Sequence, residues 1–428
     1  MSSQPVTPPL GMPEEPVVEP GAPSWNAPIP ERMLAQLLDI CPVVSRSLPI
    51  ELWDEVLGYV SYDWRCDLRT RGSREARLQK LGRVCRGWYA RCRFLVWEEL
   101  TMASYVNNKT QMDRLIKTLD EQPERCRVIK AVYIRSEFLS GGLLGPFVAC
   151  MAQKLPRIQS LEFRRCKLAA EQLGVQVFRD VTLTFGSATV LKLFRVDFSS
   201  AMEFEMLVRA LPRLVSLTCD EVDFKDRRNV VATVGALHPL RLETVDLCGC
   251  DDVIDFLMST GARIRQLFCI SANLPRTFSK LFVAIAESLL FLDMYGMYSR
   301  FDDGPPLLSP LVNLRTLSFL PKDMRHVVHV LSLVTLPKLI EVTVRIRVLD
   351  ILQLPRKLDR DCCTSIDNAL SGSQYPALKR VIFHVVLTER GDPQTMYEDS
   401  CAREMSCKFP TLHGSGRLRR VLYRISTP

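Results

Sequence analysis

From residue 124 onward one apolar phrase keeps returning: an anchor, two residues, an apolar residue, one residue, another apolar residue. It is read at Ile129/Val132/Ile134, Ile158/Leu161/Phe163, Ala188/Leu191/Leu193, Leu214/Leu217/Cys219, Leu242/Val245/Leu247 and Ile264/Leu267/Cys269. It continues at Leu289/Leu292/Met294, Leu314/Leu317/Phe319, Leu339/Val342/Val344, Leu378/Val381/Phe383 and Leu418/Val421/Tyr423. Successive anchors lie 29, 30, 26, 28, 22, 25, 25, 25, 39 and 40 residues apart. Such a period constrains the fold more than composition does, because each unit is too short to bury its own apolar side and must stack on its neighbours.

The last two apolar positions of each phrase are separated by one residue. On a short strand both point to one side, and the residue between points to the other. The chain must then return, and several return segments carry helical stripes: Met202, Met206, Leu207 and Leu211, or Leu281, Ala284, Ile285 and Leu289. Leu155-Pro156, Leu211-Pro212, Leu336-Pro337 and Tyr375-Pro376 open units with a proline that stops the preceding helix and sets up the strand. The intervals resemble those of leucine-rich repeats, without most of the asparagine or cysteine ladder of that family's consensus. Stacked units of this kind place a parallel sheet on a concave face and helices on a convex one. An ordinary α/β sheet domain is the other fold the pattern allows. The two wide intervals are expected to hold inserted loops, around 347–372 and 387–412.

The N-terminal part reads differently. Residues 1–30 hold nine of the 27 prolines, and such density favours extended, coreless chain. Residues 31–41 suit a short helix that Pro42 ends. From Leu48, Pro49 sits where a helix tolerates it best, in the first turn, and Glu51 complements the positive helix end. Ile50, Leu52, Val56, Leu57 and Val60 make an apolar face. A break over 63–73 precedes a second helical pattern, Leu78, Leu81, Val84, Cys85, Trp88 and Tyr89, and Trp97 and Leu100 close the stretch. Two or three short helices in about fifty residues bury little surface and invite a partner.

These residues resemble an F-box: Leu48, Pro49, Glu51, Leu52, Val56 and Leu57, then Leu81, Val84, Cys85, Arg86 and Trp88, with Trp97 at the end. The loop from Asp63 to Gln79 departs from the family by being longer and more basic. The resemblance implies a three-helix module that docks on the Skp adaptor of a cullin–RING ubiquitin ligase. The docking residues it implies are Leu48, Pro49, Ile50, Leu52, Val56, Leu57, Leu81, Val84, Cys85 and Trp88.

Composition and motifs narrow the chemistry. The fifteen cysteines are scattered through apolar patterns, with only Cys248-Gly249-Cys250 and Cys362-Cys363 close together, so reduced buried thiols are expected rather than disulfides or metal ligands. There is no P-loop, dinucleotide fingerprint or nucleophile elbow. His326 and His329 share a helix without the carboxylate of a metalloprotease motif, and Asp251-Asp252 and Asp302-Asp303 read as solvated turns. No catalytic, cofactor or metal site is expected. No apolar run of about 18 residues occurs, and the first ten residues lack a basic and apolar leader pattern, so neither a membrane span nor a secretory signal is expected. The segment 65–93 carries ten basic and two acidic residues, and that excess equals the net +8 of the whole chain. It could contact phosphates beside Trp64 and Trp88. The preferred reading is a solvated face beside an acidic adaptor.

The expected organisation is a proline-rich tail with a short helix over 1–46, the F-box over 47–100, a linker helix over 101–123 and the solenoid over 124–428. The fold class is thus a small helical module followed by an α/β leucine-rich-repeat-like solenoid. The resemblance, similar to fungal F-box receptors, implies a non-enzymatic, cytoplasmic or nuclear substrate receptor whose partners are the Skp adaptor, a cullin scaffold and a protein target. An F-box scaffold without a role in ubiquitination and a nucleic-acid binder using 65–93 stay open as alternatives.

Overall fold

The computed structural model describes residues 56–57, 78–84, 86–102, 109–135, 144–168, 174–226, 239–270, 275–297, 308–348, 354, 358–387 and 403–424. The chain divides between Trp97 and Glu98 into two compact units. The second unit is built on one sheet. Its strands are β1 (Glu99–Met102), β2 (Ala131–Arg135), β3 (Ser160–Arg164), β4 (Lys167–Leu168), β5 (Val190–Ser200), β6 (Ser216–Asp226) and β7 (Arg241–Cys248), then β8 (Arg263–Ile270), β9 (Phe291–Met297), β10 (Thr316–Pro321), β11 (Glu341–Val348), β12 (Arg380–Leu387) and β13 (Leu418–Arg424). They lie side by side in chain order, with the two-residue β4 on the flank of β5. Every pairing is parallel. A parallel neighbour needs a crossover between strands, and the return segments supply it.

The register follows the repeated phrase. Val132, Leu161, Leu191, Leu217, Val245, Leu267, Leu292, Leu317, Val342 and Val381 pair in one unbroken line across ten strands. All ten are wholly buried. The second inward residue of each strand, Ile134 through Phe383, forms a parallel line and is buried too. Each such side chain contributes roughly 1.5–3 kcal/mol of burial, and a one-residue slip would turn the whole line outward. That makes the pairing cooperative across units.

Helices return the chain: Leu144–Met151, Val175–Phe185, Ala201–Arg209, Asp251–Ser259, Pro275–Ile285, Met324–Leu333 and Arg360–Ser371. Their apolar sides join the strands' inward residues in one cluster. In the middle units Phe198, Phe204, Phe224 and Phe256 interlock at centroid distances of 4.9–6.1 Å. The Leu-Pro and Tyr-Pro phrases form single turns, with Leu214 N–H donating to the Leu211 carbonyl, Leu339 to Leu336 and Leu378 to Tyr375. Tyr375 is wholly buried and its hydroxyl donates to the Leu331 carbonyl at 2.6 Å, tying the turn to helix Met324–Leu333 of the previous unit.

Several expectations need correcting. The wide intervals are not simply inserted loops, because Arg360–Ser371 is a twelve-residue helix in the first and residues 403–408 and 410–414 are helical in the second. There the buried Asp367 carboxylate accepts the Thr411 and Leu412 N–H groups at 2.9 Å, capping the short helix. Met202 points outward; Phe204, Leu207 and Val208 form the buried stripe of its helix. Leu418 is not an anchor: it pairs with Val381 in the strand itself, and Val421 pairs with His384 on the other side of the sheet. Ahead of residue 124, Leu100 and Met102 pair with Val132 and Ile134, so β1 extends the same sheet.

The middle units share a further device. Two residues past the second inward position the backbone turns left-handed: Arg165 (φ 51°), Arg195 (φ 55°), Glu221 (φ 51°) and Gly249 (φ 61°). Only glycine adopts this freely, and the other three each cost roughly 1–2 kcal/mol. The next residue, Cys166, Val196, Val222 or Cys250, turns back into the core. The Cys166 thiol donates to the Ile134 carbonyl of the preceding strand, and Cys250 Sγ accepts the Val222 N–H at 3.3 Å. A cysteine thus ties neighbouring strands at these two separate positions.

Candidate binding surfaces

In the first unit, helix Arg86–Trp97 packs Cys92 and Leu95 against Leu57 and Leu78, with Leu81, Trp88 and Val96 against that core. Of the docking residues implied by the F-box resemblance, Leu48, Pro49, Ile50, Leu52 and Cys85 lie outside the described residues. Leu57 is buried in internal packing, and Leu81 and Trp88 are half-buried against it. Val56 and Val84 stay outside this core, 40% and 64% exposed. The basic segment is not uniformly solvated. Arg93 is buried with its guanidinium 5.6 Å from the Tyr89 ring centroid and 5.4 Å from that of Trp97, and Arg91 lies 5.0 Å over Phe94. Those two cations are held by rings of their own helix, in the cation–π range.

In the second unit the strand face away from the helices carries the residues between the inward ones. Register places Glu162, Lys192, Thr218, Asp246, Phe268, Asp293, Ser318 and Thr343 in one row. A second row holds Arg164, Phe194, Asp220, Cys248, Ile270 and Tyr295. Two arginine–aromatic platforms stand on this face. Arg345 of β11 reaches across β10 to the Asp293 carboxylate of β9, and its guanidinium lies 4.4 Å over the Tyr295 ring. Asp293, Ser318 and Thr343 beneath it are buried although they point away from the helices. Burial raises the Asp293 carboxyl above the usual range, against the opposing pull of Arg345, Ser318 and Tyr295. Next to Arg345 in register, burial and then the Arg345 charge hold His384 below the usual imidazole value. The second platform repeats the scheme: Arg164 pairs with the buried Glu162 and lies 4.6 Å over Phe194. The platforms are five strand steps apart, about 24 Å at roughly 4.8 Å per step.

Between them lie Asp220, Asp246 and Cys248. Burial, helped by the Asp220 carboxylate, pushes Cys248 up to about 12, and burial pushes Cys250 up to about 12. Both stay protonated at neutral pH, so this pair is no nucleophile. All described cysteines are free thiols. Among the described residues no group of three His, Cys, Asp or Glu side chains is placed to hold a metal ion, and no helix is long and apolar enough to cross a membrane.

The Asp251-Asp252 expectation is corrected as well. Both open helix Asp251–Ser259, and the buried Asp252 carboxylate accepts the Phe224 N–H of the preceding unit at 2.8 Å. It is a structural tie rather than a solvated turn. Asp302 and Asp303 lie outside the described residues. His326 is half-buried and His329 exposed on helix Met324–Leu333. The platform residues were not singled out from sequence, although a charged residue between two apolar strand positions is a readable signal at Glu162 and Asp293.

No protein-family model matches the chain, and no curated protein sequence matches it. Among solved structures it is similar to the crystal structure of the Rad7 and Elc1 complex in yeast, at 11% identity, covering 85% of this chain and 92% of that one with a TM-score of 0.29.

Proposed function

We propose that this chain is the substrate-recognition subunit of an SCF-type cullin–RING ubiquitin ligase. In this reading the F-box binds the Skp adaptor, and the open strand face binds a protein target. The chain supplies no catalytic group; it holds the target near the ligase's other subunits. The observation that supports the adaptor half is that Val56 and Val84, two positions of the motif, lie outside the described core of a unit too small to bury much surface alone. The target half is supported by the sheet. Its open face presents half-buried aromatics and neutralised charges held in place by buried partners, a preorganised surface that loses little freedom on binding.

The test is co-purification with the Skp adaptor. Leu48→Ala combined with Pro49→Ala is expected to abolish adaptor retention while the thermal unfolding curve stays unchanged. Retention equal to that of the parent chain sinks the assignment. Cullin in the same pull-down separates a ligase subunit from an adaptor-binding scaffold.

A further inference from the structure

We propose that the outer edge of β13 accepts an extended acidic strand from a partner protein, added to the sheet as its next strand. The strand runs from Leu418 to Arg424 and pairs with β12 alone among the described residues. Its far side is a row of backbone donors and acceptors suited to strand addition.

The occupant's charge follows from how this sheet treats charged residues on neighbouring strands. Glu98 and Lys130 pair at 2.6 Å at the entries of β1 and β2. Arg195 and Glu221 pair at 2.7 Å between β5 and β6, and Glu243 and Arg265 at 3.2 Å between β7 and β8. Glu341 and Arg380 pair at 2.9 Å between β11 and β12. Arg417 comes next in that line, since Val381 stands opposite Leu418. Arg419 is exposed one position further on. Neither arginine has a carboxylate partner among the described residues, and Arg380 is already taken by Glu341. Arg417 thus stands beside Arg380 with one carboxylate for the two cations, and a following strand bearing carboxylates would supply the second. A second copy of this chain is the poorer occupant, because β13 itself carries Arg419, Arg420 and Arg424 and no carboxylate, so like charges would meet at the seam. The inference does not depend on the adaptor reading.

The experiment uses the full chain and a fluorescent eight-residue peptide alternating valine and glutamate. One twin carries N-methyl groups on alternate backbone amides, and another carries lysine for glutamate. Saturable binding of the glutamate peptide is expected, weakened about tenfold or more in both twins and by Arg417→Glu with Arg419→Glu in the chain. Thermal unfolding of that variant is expected to match the parent. Equal binding of the N-methylated twin would show electrostatic attraction without strand addition and overturn the proposal. Absence of saturable binding would also overturn it, as would a dimer of the chain alone that the peptide fails to dissociate.

Discussion

The ladder and the helical unit ahead of it draw on the same residue types and differ in how burial is shared. In the ladder the central strand position is wholly buried in ten consecutive strands, and each unit's neighbour completes its core. The described core of the helical unit is Leu57, Leu78, Cys92 and Leu95, and it leaves Val56 and Val84 at the surface. Arginine lies on aromatic rings in both, yet Arg345 bridges separate strands whereas Arg93 folds onto its own helix. Repetition thus lets each unit complete its neighbour's core in the ladder, whereas the described core of the small unit is four residues.

That contrast can be broken, beginning with the strongest effect. Arg345→Met leaves the buried Asp293 carboxylate unpaired and is expected to cost about 3–5 kcal/mol in urea unfolding. Adding Asp293→Leu should return most of the loss, since replacing both partners removes the orphaned charge; no recovery would mean the pair is not the cause. Leu217→Ala opens a cavity in the middle of the register line and should cost about 2–5 kcal/mol. A smaller loss is expected from Gly249→Ala. Nothing lies within 4 Å of an added Cβ there, so only the left-handed backbone resists, at roughly 1–2 kcal/mol.

The pH dependence sharpens the same comparison at the platform. His384 is held below its ordinary value near 6.5, so the folded state resists a proton that the unfolded chain accepts. Stability is therefore full above about pH 6.5 and declines as pH falls through that value toward the folded one. His384→Gln should flatten the decline in thermal unfolding; an unchanged slope would assign it elsewhere, with His326, shifted in the same direction, the next group to replace.

The strand positions were legible because the phrase has period two locally and a near-constant spacing globally. Ten of the eleven phrases fall on the observed register. Leu418 does not: it stands opposite Val381, so the chain enters the sheet three residues earlier than the phrase implies, after the short helix and Gly416 at φ 70°. β1 was hidden because Trp97, Leu100 and Met102 carry the same phrase but adjoin the helical motif. The Arg345 platform could not be read from sequence, since Asp293 lies 52 residues away and only register brings a long side chain over it. Asp252 looked like a turn residue because its partner is a backbone N–H of another unit.

The central claim is that the helical unit docks through residues its own core leaves outside. Val56→Asp with Val84→Asp removes that surface with little effect on folding, within about 0.5 kcal/mol for exposed positions. The decisive measurement is titration of purified Skp adaptor against the full chain, this variant and Leu217→Ala. The surface variant is expected to lose adaptor binding with unchanged unfolding, while Leu217→Ala binds normally below its own unfolding transition. Unaltered binding by Val56→Asp with Val84→Asp would contradict it.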